Sequence, residues 1–110
     1  MAFFDCLHDM GDPVGAAVHV RSTMKPDGTW MVVEPYAEDA TEGNHNPVGR
    51  VFYSASTMLC VPASISQEVG AALGAQAGEK RIGEVVMAGG FKSFRRATQT
   101  PFNLIFEARP

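Results

Sequence analysis

The first apolar run of the chain, FFDCL at 3–7, predicts a β-strand. The polar residues His8 and Asp9 end this strand. Asp12 and Pro13 then predict a helix start. An aspartate side chain accepts hydrogen bonds from the first backbone N–H groups of a helix, and proline at the first helical position costs no helical hydrogen bond. The pattern therefore indicates a strand, a short polar loop and a helix.

The predicted helix ends at KPDG, residues 25–28, because proline cannot continue a helix and Asp-Gly favours a tight turn. Its packing residues are expected to be Ala17, Val18 and Met24. The apolar run WMVV at 30–33 predicts a second strand that is buried on both faces. Two strands joined by a helix run parallel, and ligands bind such sheets at the carboxyl ends of the strands.

The middle of the chain begins with a polar loop over 36–46. A helix is predicted over roughly 47–60, and Cys60, Val61 and Pro62 are expected to end it. Three apolar side chains of this helix could line a ligand pocket, form a dimer contact or pack in the core: Phe52, Met58 and Leu59.

Two further helices are expected before the C-terminal strands. Ser64 and Gln67 have the spacing of a capping box, which predicts a short helix over 65–73. A second helix is predicted over 79–88, and Gly89-Gly90 would end it in the left-handed conformation. Its apolar face is formed by Ile82, Val85 and Val86.

The last segment predicts an antiparallel hairpin, because its two strands are joined by a short turn over 98–101. The first strand spans 91–97, with Phe91 and Phe94 inward and Lys92, Arg95 and Arg96 outward. In the second strand every other residue is apolar, namely Phe102, Leu104 and Phe106.

Composition fits one small domain, residues 1–110, with 45% hydrophobic residues for a packed core. The net charge of −3 and the pI of about 5.5 argue against a surface for nucleic acid or anionic membranes. No apolar stretch has the length of a membrane span, and no signal-peptide pattern is present at the start.

The two cysteines, Cys6 and Cys60, lie in different predicted elements, which predicts reduced thiols and a cytoplasmic protein. The cysteines and the three histidines, His8, His19 and His45, match no zinc-binding spacing. No metal site is therefore expected.

The sequence resembles the C-terminal half of a class I S-adenosylmethionine-dependent methyltransferase, and most closely the small-molecule O-methyltransferases. The resemblance depends on five motifs that occur in the family's order: LHDM at 7–10, KPDG at 25–28, VVEP at 32–35, AGGF at 88–91 and FNLIFEA at 102–108. It implies an α/β fold with a partial Rossmann-like sheet, made of two parallel strands and a C-terminal antiparallel hairpin with flanking helices. In that arrangement the last strand lies between the second and third strands.

The resemblance also implies a site and a reaction. His8 is at the position of the catalytic base, and Glu34 matches the acid that orients it. The segment of Cys6 and Leu7 corresponds to the cofactor side. The acceptor side would include Asp9, Met10, Phe52 and Met58. Met10 stands where the family has a tryptophan. The reaction implied is methyl transfer from S-adenosylmethionine to a small hydroxyl acceptor such as a phenol.

The family binds the donor through a Gly-rich loop and an acidic residue in its first half, and this chain contains neither feature. We therefore expect the chain alone to bind S-adenosylmethionine weakly or not at all. In the alternative interpretation, His8 caps the strand and the chain is a non-catalytic α/β domain. The outer edge of its first strand would then pair with a second copy or another chain.

Overall fold

The computed structural model describes residues 1–39 and 46–110. Most of the predicted loop over 36–46, with His45, lies outside these residues. The described part is an α/β fold with a mixed four-stranded sheet. Its strands are β1 (Ala2–Phe4), β2 (Trp30–Pro35), β3 (Ser93–Gln99) and β4 (Asn103–Arg109). Its helices are α1 (Pro13–Thr23), α2 (Pro47–Ala55), α3 (Val61–Ile65) and α4 (Gly78–Ala88).

The order of the strands in the sheet is β1-β2-β4-β3. β1 and β2 are parallel, as two strands joined by a helix must be, and β4 is antiparallel to both of its neighbours. Val32 of β2 pairs with Phe3 on one side and with Phe106 on the other. The parallel pair, the antiparallel hairpin and the position of the last strand between the second and third are thus confirmed.

The first strand is shorter than predicted. It ends at Phe4 because Asp5 adopts a left-handed backbone conformation, with φ of 47°, which turns the chain out of the strand. Leu7 then enters a 3₁₀ turn, Leu7–Asp9, and its side chain is fully buried in the core. The apolar character of the 3–7 run therefore reflects core packing after the strand as well as strand pairing.

The helix start at Asp12 and Pro13 is confirmed, since Asp12 Oδ1 accepts a hydrogen bond of 2.8 Å from the backbone N–H of Gly15. The predicted packing face of α1 is partly wrong. Ala17 is buried, but Val18 is 50% exposed and Val20 is buried instead. Val20 is three residues beyond Ala17 and faces the same side of the helix, whereas the adjacent Val18 points away from it.

Burial of β2 on both faces is wrong. Trp30, Val32 and Glu34 are buried, whereas Met31 is exposed and Val33 is only half-buried. The core contains residues of α1, α4 and the sheet on the face to which Trp30 and Val32 point. The opposite face is less covered by the described residues, so the strand alternates.

The predicted helix end at Cys60, Val61 and Pro62 is also wrong. α2 passes through a π-helical turn, Ser56–Cys60, and continues as α3 to Ile65. The hydrogen-bond spacing of the helix changes immediately before Pro62, where a residue without an N–H is tolerated.

No helix forms over 65–73, although Ser64 and Gln67 have the spacing of a capping box. Ser64 instead lies near the end of α3, and both side chains bond to the loop after β1. A tertiary contact thus takes the place of the local cap that the spacing predicts.

The helix over 79–88 and its apolar face are confirmed by α4, in which the three predicted side chains are buried. Gly90 follows it with φ of 94°, as expected for a left-handed helix end. In the hairpin, Phe102 is exposed and precedes β4, so its assignment to the strand is wrong. Arg96 was expected to point outward, but it is half-buried and pairs with Glu79 at 2.5 Å.

Among the described residues, no helix combines the length and apolar character that crossing a bilayer requires. Cys6 and Cys60 are free thiols.

Candidate functional site

A buried histidine–glutamate pair lies at the carboxyl ends of the two parallel strands. His8 is in the 3₁₀ turn after β1, Glu34 is near the end of β2, and each is only 3% exposed. Glu34 Oε2 is hydrogen-bonded to His8 Nδ1, and Glu34 Oε1 accepts a hydrogen bond of 2.9 Å from the backbone N–H of Leu7. One carboxylate therefore fixes both the ring and the turn that carries it.

The carboxylate determines which ring nitrogen is available. Because an ionised carboxylate only accepts hydrogen bonds, Nδ1 carries the proton, and Nε2 of a neutral His8 is left with a lone pair. Burial opposes the charged form of the ring. The hydrogen bond and charge of Glu34, with the charges of Asp9 and Asp5, more than offset this effect, so the pKa of His8 is raised.

Nε2 of His8 faces two further groups that can bind protons or metals. Asp9 Oδ1 is buried and lies 3.1 Å from it, so a protonated His8 pairs with this oxygen, whereas with a neutral His8 no N–H of the described residues donates to it. Cys60, from the π-helical turn, completes the cluster, and the ligand atoms of the three side chains all lie within 4.8 Å of one another. Burial, followed by the hydrogen bond to Asp9 and the charge of Asp9, raises the pKa of the Cys60 thiol to about 11.

The loop that carries the pair is held by the end of α3 and the residues after it. Gln67 accepts a hydrogen bond of 2.8 Å from the backbone N–H of Gly11 and donates one of 3.0 Å to the carbonyl of Asp9. Ser64 donates a hydrogen bond of 2.9 Å to the carbonyl of Met10. These bonds connect two segments far apart in sequence, and they add to the local backbone hydrogen bonds of the 3₁₀ turn.

The structure brings some of the predicted site residues together. His8, Glu34 and Asp9 are in one cluster, and Met10 packs against the core beside them. The side chain of Leu7 is fully buried in the core, so its contact with the site is the backbone N–H that it donates to Glu34.

Three other predicted residues lie elsewhere or at the edge of the cluster. Cys6 is half-buried in the turn before His8, and Met58 is 77% exposed. Phe52 lines an apolar groove of about 250 Å³ whose walls do not include the histidine–glutamate pair: Pro47, Val48, Val51, Phe52 and Phe102. The predicted acceptor side is therefore divided between the cluster and this groove.

The sequence pattern does not place Cys60, Ser64 or Gln67 in the site. Cys60 is predicted to end a helix and matches no zinc-binding spacing, and the other two are predicted to cap a new helix. Their spacing carries no pattern that points to His8, because the contacts are made only when α3 packs against the loop after β1. Cys60 is recognisable only in the folded chain, where its thiol lies beside His8 Nε2.

The chain matches no protein-family model, and no curated protein matches it either.

Proposed function

We propose that this chain is the acceptor half of an S-adenosylmethionine-dependent methyltransferase that acts on a hydroxyl group of a small molecule such as a phenol. The observation that carries the proposal is the His8–Glu34 pair, buried at the carboxyl ends of adjacent parallel strands. Enzymes with open α/β sheets have their ligand sites at these ends. The order of the strands, with the last strand antiparallel between the second and third, is what the motif resemblance implies.

His8 acts as the general base in this proposal. Nδ1 donates to Glu34, so Nε2 takes the proton of the acceptor hydroxyl, and the buried carboxylate stabilises the imidazolium that results. The Leu7 N–H holds the other oxygen of Glu34, which fixes the carboxylate beside the ring. A hydroxyl can reach Nε2 only after the Asp9 carboxylate moves aside, and the Asp9 side chain is 42% exposed.

The described residues do not form a site for the methyl donor. The Leu7 side chain is part of the core, its N–H is bonded to Glu34, and the half-buried Cys6 offers no charged group to an adenosine. S-adenosylmethionine supplies an electrophilic methyl group when it is bound. We assign its binding to residues other than those described, and assign acceptor positioning and proton removal to this chain.

Methyl transfer by the protein made from the complete reading frame that encodes these residues tests the proposal. With radiolabelled S-adenosylmethionine and a panel of phenols, label is expected to enter at least one phenol. His8→Gln is expected to lower the rate about 100-fold or more, because it removes the base. His19→Gln, on the exposed part of α1, is the matched control and should leave the rate unchanged.

Two results would contradict the proposal. One is the absence of S-adenosylmethionine binding at millimolar concentration in isothermal titration of that protein. The other is an unchanged rate in His8→Gln, which would show that the histidine is not the base.

A second candidate function is pairing of the domain through the edge of β1. Within the described residues β1 pairs only with β2, and Phe4 is 62% exposed. The N–H of Asp5 donates a hydrogen bond to β2, and the carbonyl of Met1 accepts one from β2. Because successive residues of a strand direct their backbone groups to opposite sides, the N–H of Phe4 points to the open edge. A second copy or another chain could pair with this edge.

Light scattering of the purified chain tests the second candidate. A dimer that dissociates in Phe4→Pro, but not in Phe4→Ser, would indicate pairing through the backbone, because only proline removes the outward N–H. A folded monomer at every concentration would exclude edge pairing of the chain with itself.

A further inference from the structure

The side chains around His8 Nε2 have the composition of a transition-metal site. An imidazole nitrogen, a carboxylate oxygen and a thiol sulfur, from His8, Asp9 and Cys60, lie within 4.8 Å of one another. In a tetrahedral zinc site such ligand atoms are about 3.5 Å apart, since each is about 2.0–2.3 Å from the metal. The separation of His8 Nε2 and Asp9 Oδ1 is 3.1 Å, which is short enough for both to bind one metal ion. Only the Cys60 sulfur would need to move closer to the other two atoms.

Two observations independent of the ligand types point to the same position. Asp9 Oδ1 is a buried oxygen that, within the described residues, is approached only by His8 Nε2, 3.1 Å away, and by the Cys60 thiol, so it receives no N–H hydrogen bond when His8 is neutral. The His8 side chain is 3% exposed and directs Nε2 toward that oxygen. A cation between them would satisfy both atoms.

Glu34 supports the same arrangement. Histidines that bind metals usually donate their other ring N–H to a carboxylate or carbonyl, which fixes the tautomer and the direction of the free nitrogen. His8 Nδ1 is bonded to Glu34 in this way, and the carboxylate is itself held by the N–H of Leu7. The imidazole is therefore oriented for coordination through Nε2 before any ion binds.

Cys60 reaches the cluster through an irregular part of the helix. It is the last residue of the π-helical turn, Ser56–Cys60, and single π-helical turns within α-helices are frequent at functional sites. The loop on the opposite side of the cluster is held by Gln67, whose side chain bonds to the carbonyl of Asp9. The elements that carry the three ligands are thus fixed relative to one another.

We infer that His8 Nε2, Asp9 and Cys60 form a binding site for a divalent transition metal of the zinc class, with one coordination position left open. Imidazole and thiolate ligands favour zinc and its neighbours in the transition series over calcium and magnesium, which prefer oxygen ligands. Binding forms an S–metal bond at Cys60, and the thiol proton is released to solvent. Three protein ligands and an open position are typical of catalytic zinc sites.

This inference goes beyond the proposed function, and the two compete for one atom. A metal on Nε2 prevents His8 from accepting a proton, so a metal-loaded chain would have no general base at this position. Metal binding can be measured with the chain and a metal alone, with no methyl donor. Failure of either proposal therefore leaves the other standing.

Cobalt(II) is the probe, because a thiolate bound to it gives a charge-transfer band in the near ultraviolet. Titration of the reduced chain under argon is expected to produce this band, saturating at one cobalt per chain. Addition of zinc should abolish it by competition. Cys60→Ser is expected to remove the band, and Cys6→Ser and His19→Gln, the matched thiol and imidazole controls, should keep it.

Two conservative variants keep the test decisive if Cys60→Ser misfolds. Asp9→Asn is expected to weaken cobalt binding at least tenfold, and Glu34→Gln about 10- to 100-fold, since carboxylates that orient metal-binding histidines have effects of this size. Circular dichroism of each variant checks that it is folded. The inference is overturned if the wild-type chain gives no thiolate band, if the band persists in folded Cys60→Ser, or if Cys6→Ser removes it.

Discussion

The Glu34 carboxylate is hydrogen-bonded to His8 and to the residue before it at the same time. One oxygen contacts the His8 ring, and the other accepts a hydrogen bond from the backbone N–H of Leu7. The contact joins the end of β2 to the turn after β1. It therefore fixes the imidazole relative to the sheet, and both the proposed base and the inferred metal site depend on it.

Glu34→Gln is expected to lower the free energy of unfolding by roughly 1–3 kcal/mol, because a neutral amide replaces a buried carboxylate that accepts two hydrogen bonds. Urea denaturation of the chain, with chelator present, measures the change. Glu84→Gln is the matched control, since Glu84 is exposed on α4 and its replacement should change stability by less than about 0.5 kcal/mol. Equal effects of the two substitutions would contradict the structural role of Glu34.

Gln67→Ala is expected to loosen the loop after β1, because it removes the acceptor for Gly11 N–H and the donor to the Asp9 carbonyl. Hydrogen exchange of the Gly11 amide should become about fivefold faster or more, which corresponds to the loss of one hydrogen bond of about 1 kcal/mol.

Gln67→Glu is the matched comparison. It keeps the acceptor for Gly11 and removes only the donor, so the Gly11 amide should stay more protected than in Gln67→Ala. If Gln67→Ala left the exchange of Gly11 unchanged, this side chain would not hold the loop.

Gly89→Ala is expected to destabilise the contact between α1 and α4. A Cβ at Gly89 would lie 2.4 Å from the Cβ of Ala17 and 3.0 Å from its backbone carbonyl carbon, closer than van der Waals contact allows. Thermal or urea unfolding should show a loss of roughly 1–3 kcal/mol.

The double variant Ala17→Gly with Gly89→Ala separates this clash from other causes. Because Ala17→Gly removes the opposing Cβ, the double variant should lose less stability than the sum of the two single variants. Strict additivity would mean that the two helices do not meet at these residues.

The hairpin allows a pH prediction on a half-buried carboxyl group, that of Glu107. The hydrogen bonds of Arg109 and then of Arg95 lower the pKa of Glu107. A lowered pKa in the folded state contributes stability above the unfolded pKa, and this contribution is lost as the pH falls through the folded value.

An NMR titration of the Glu107 carboxyl should therefore give a pKa below its ordinary value. Arg109→Gln and Arg95→Gln should each raise it, and Lys92→Gln, which replaces an exposed residue of the same hairpin segment, should not. If neither arginine substitution shifted the pKa, the two side chains would not hold Glu107 in solution.

Some features of the fold could be predicted from local residue chemistry. The Asp12-Pro13 cap, the apolar face of α4 and the helix end at Gly90 depend only on residues within a few positions of one another. The parallel pairing of β1 and β2 follows from the short helix between them, so it too could be predicted.

Other features depended on what each segment packs against. Val18 and Met31 are as apolar as their buried neighbours, and only the packing of helix on sheet determines which side is covered. Ser64 and Gln67 have the spacing of a cap, but the unpaired backbone groups of the loop after β1 bind them instead.

The sequence by itself determined where most elements begin, that the first two strands are parallel and that the last two are antiparallel, because these follow from periodicity, caps and turns. It also placed His8 and Glu34 at the ends of the parallel strands, and the motif resemblance made them the candidate site residues. Only the tertiary structure placed Glu34 on the His8 ring and brought Cys60 and Gln67 to the same loop. The physical reason is distance along the chain: local propensities act over a few residues, whereas these side chains meet only when separate helices and strands bury a common core.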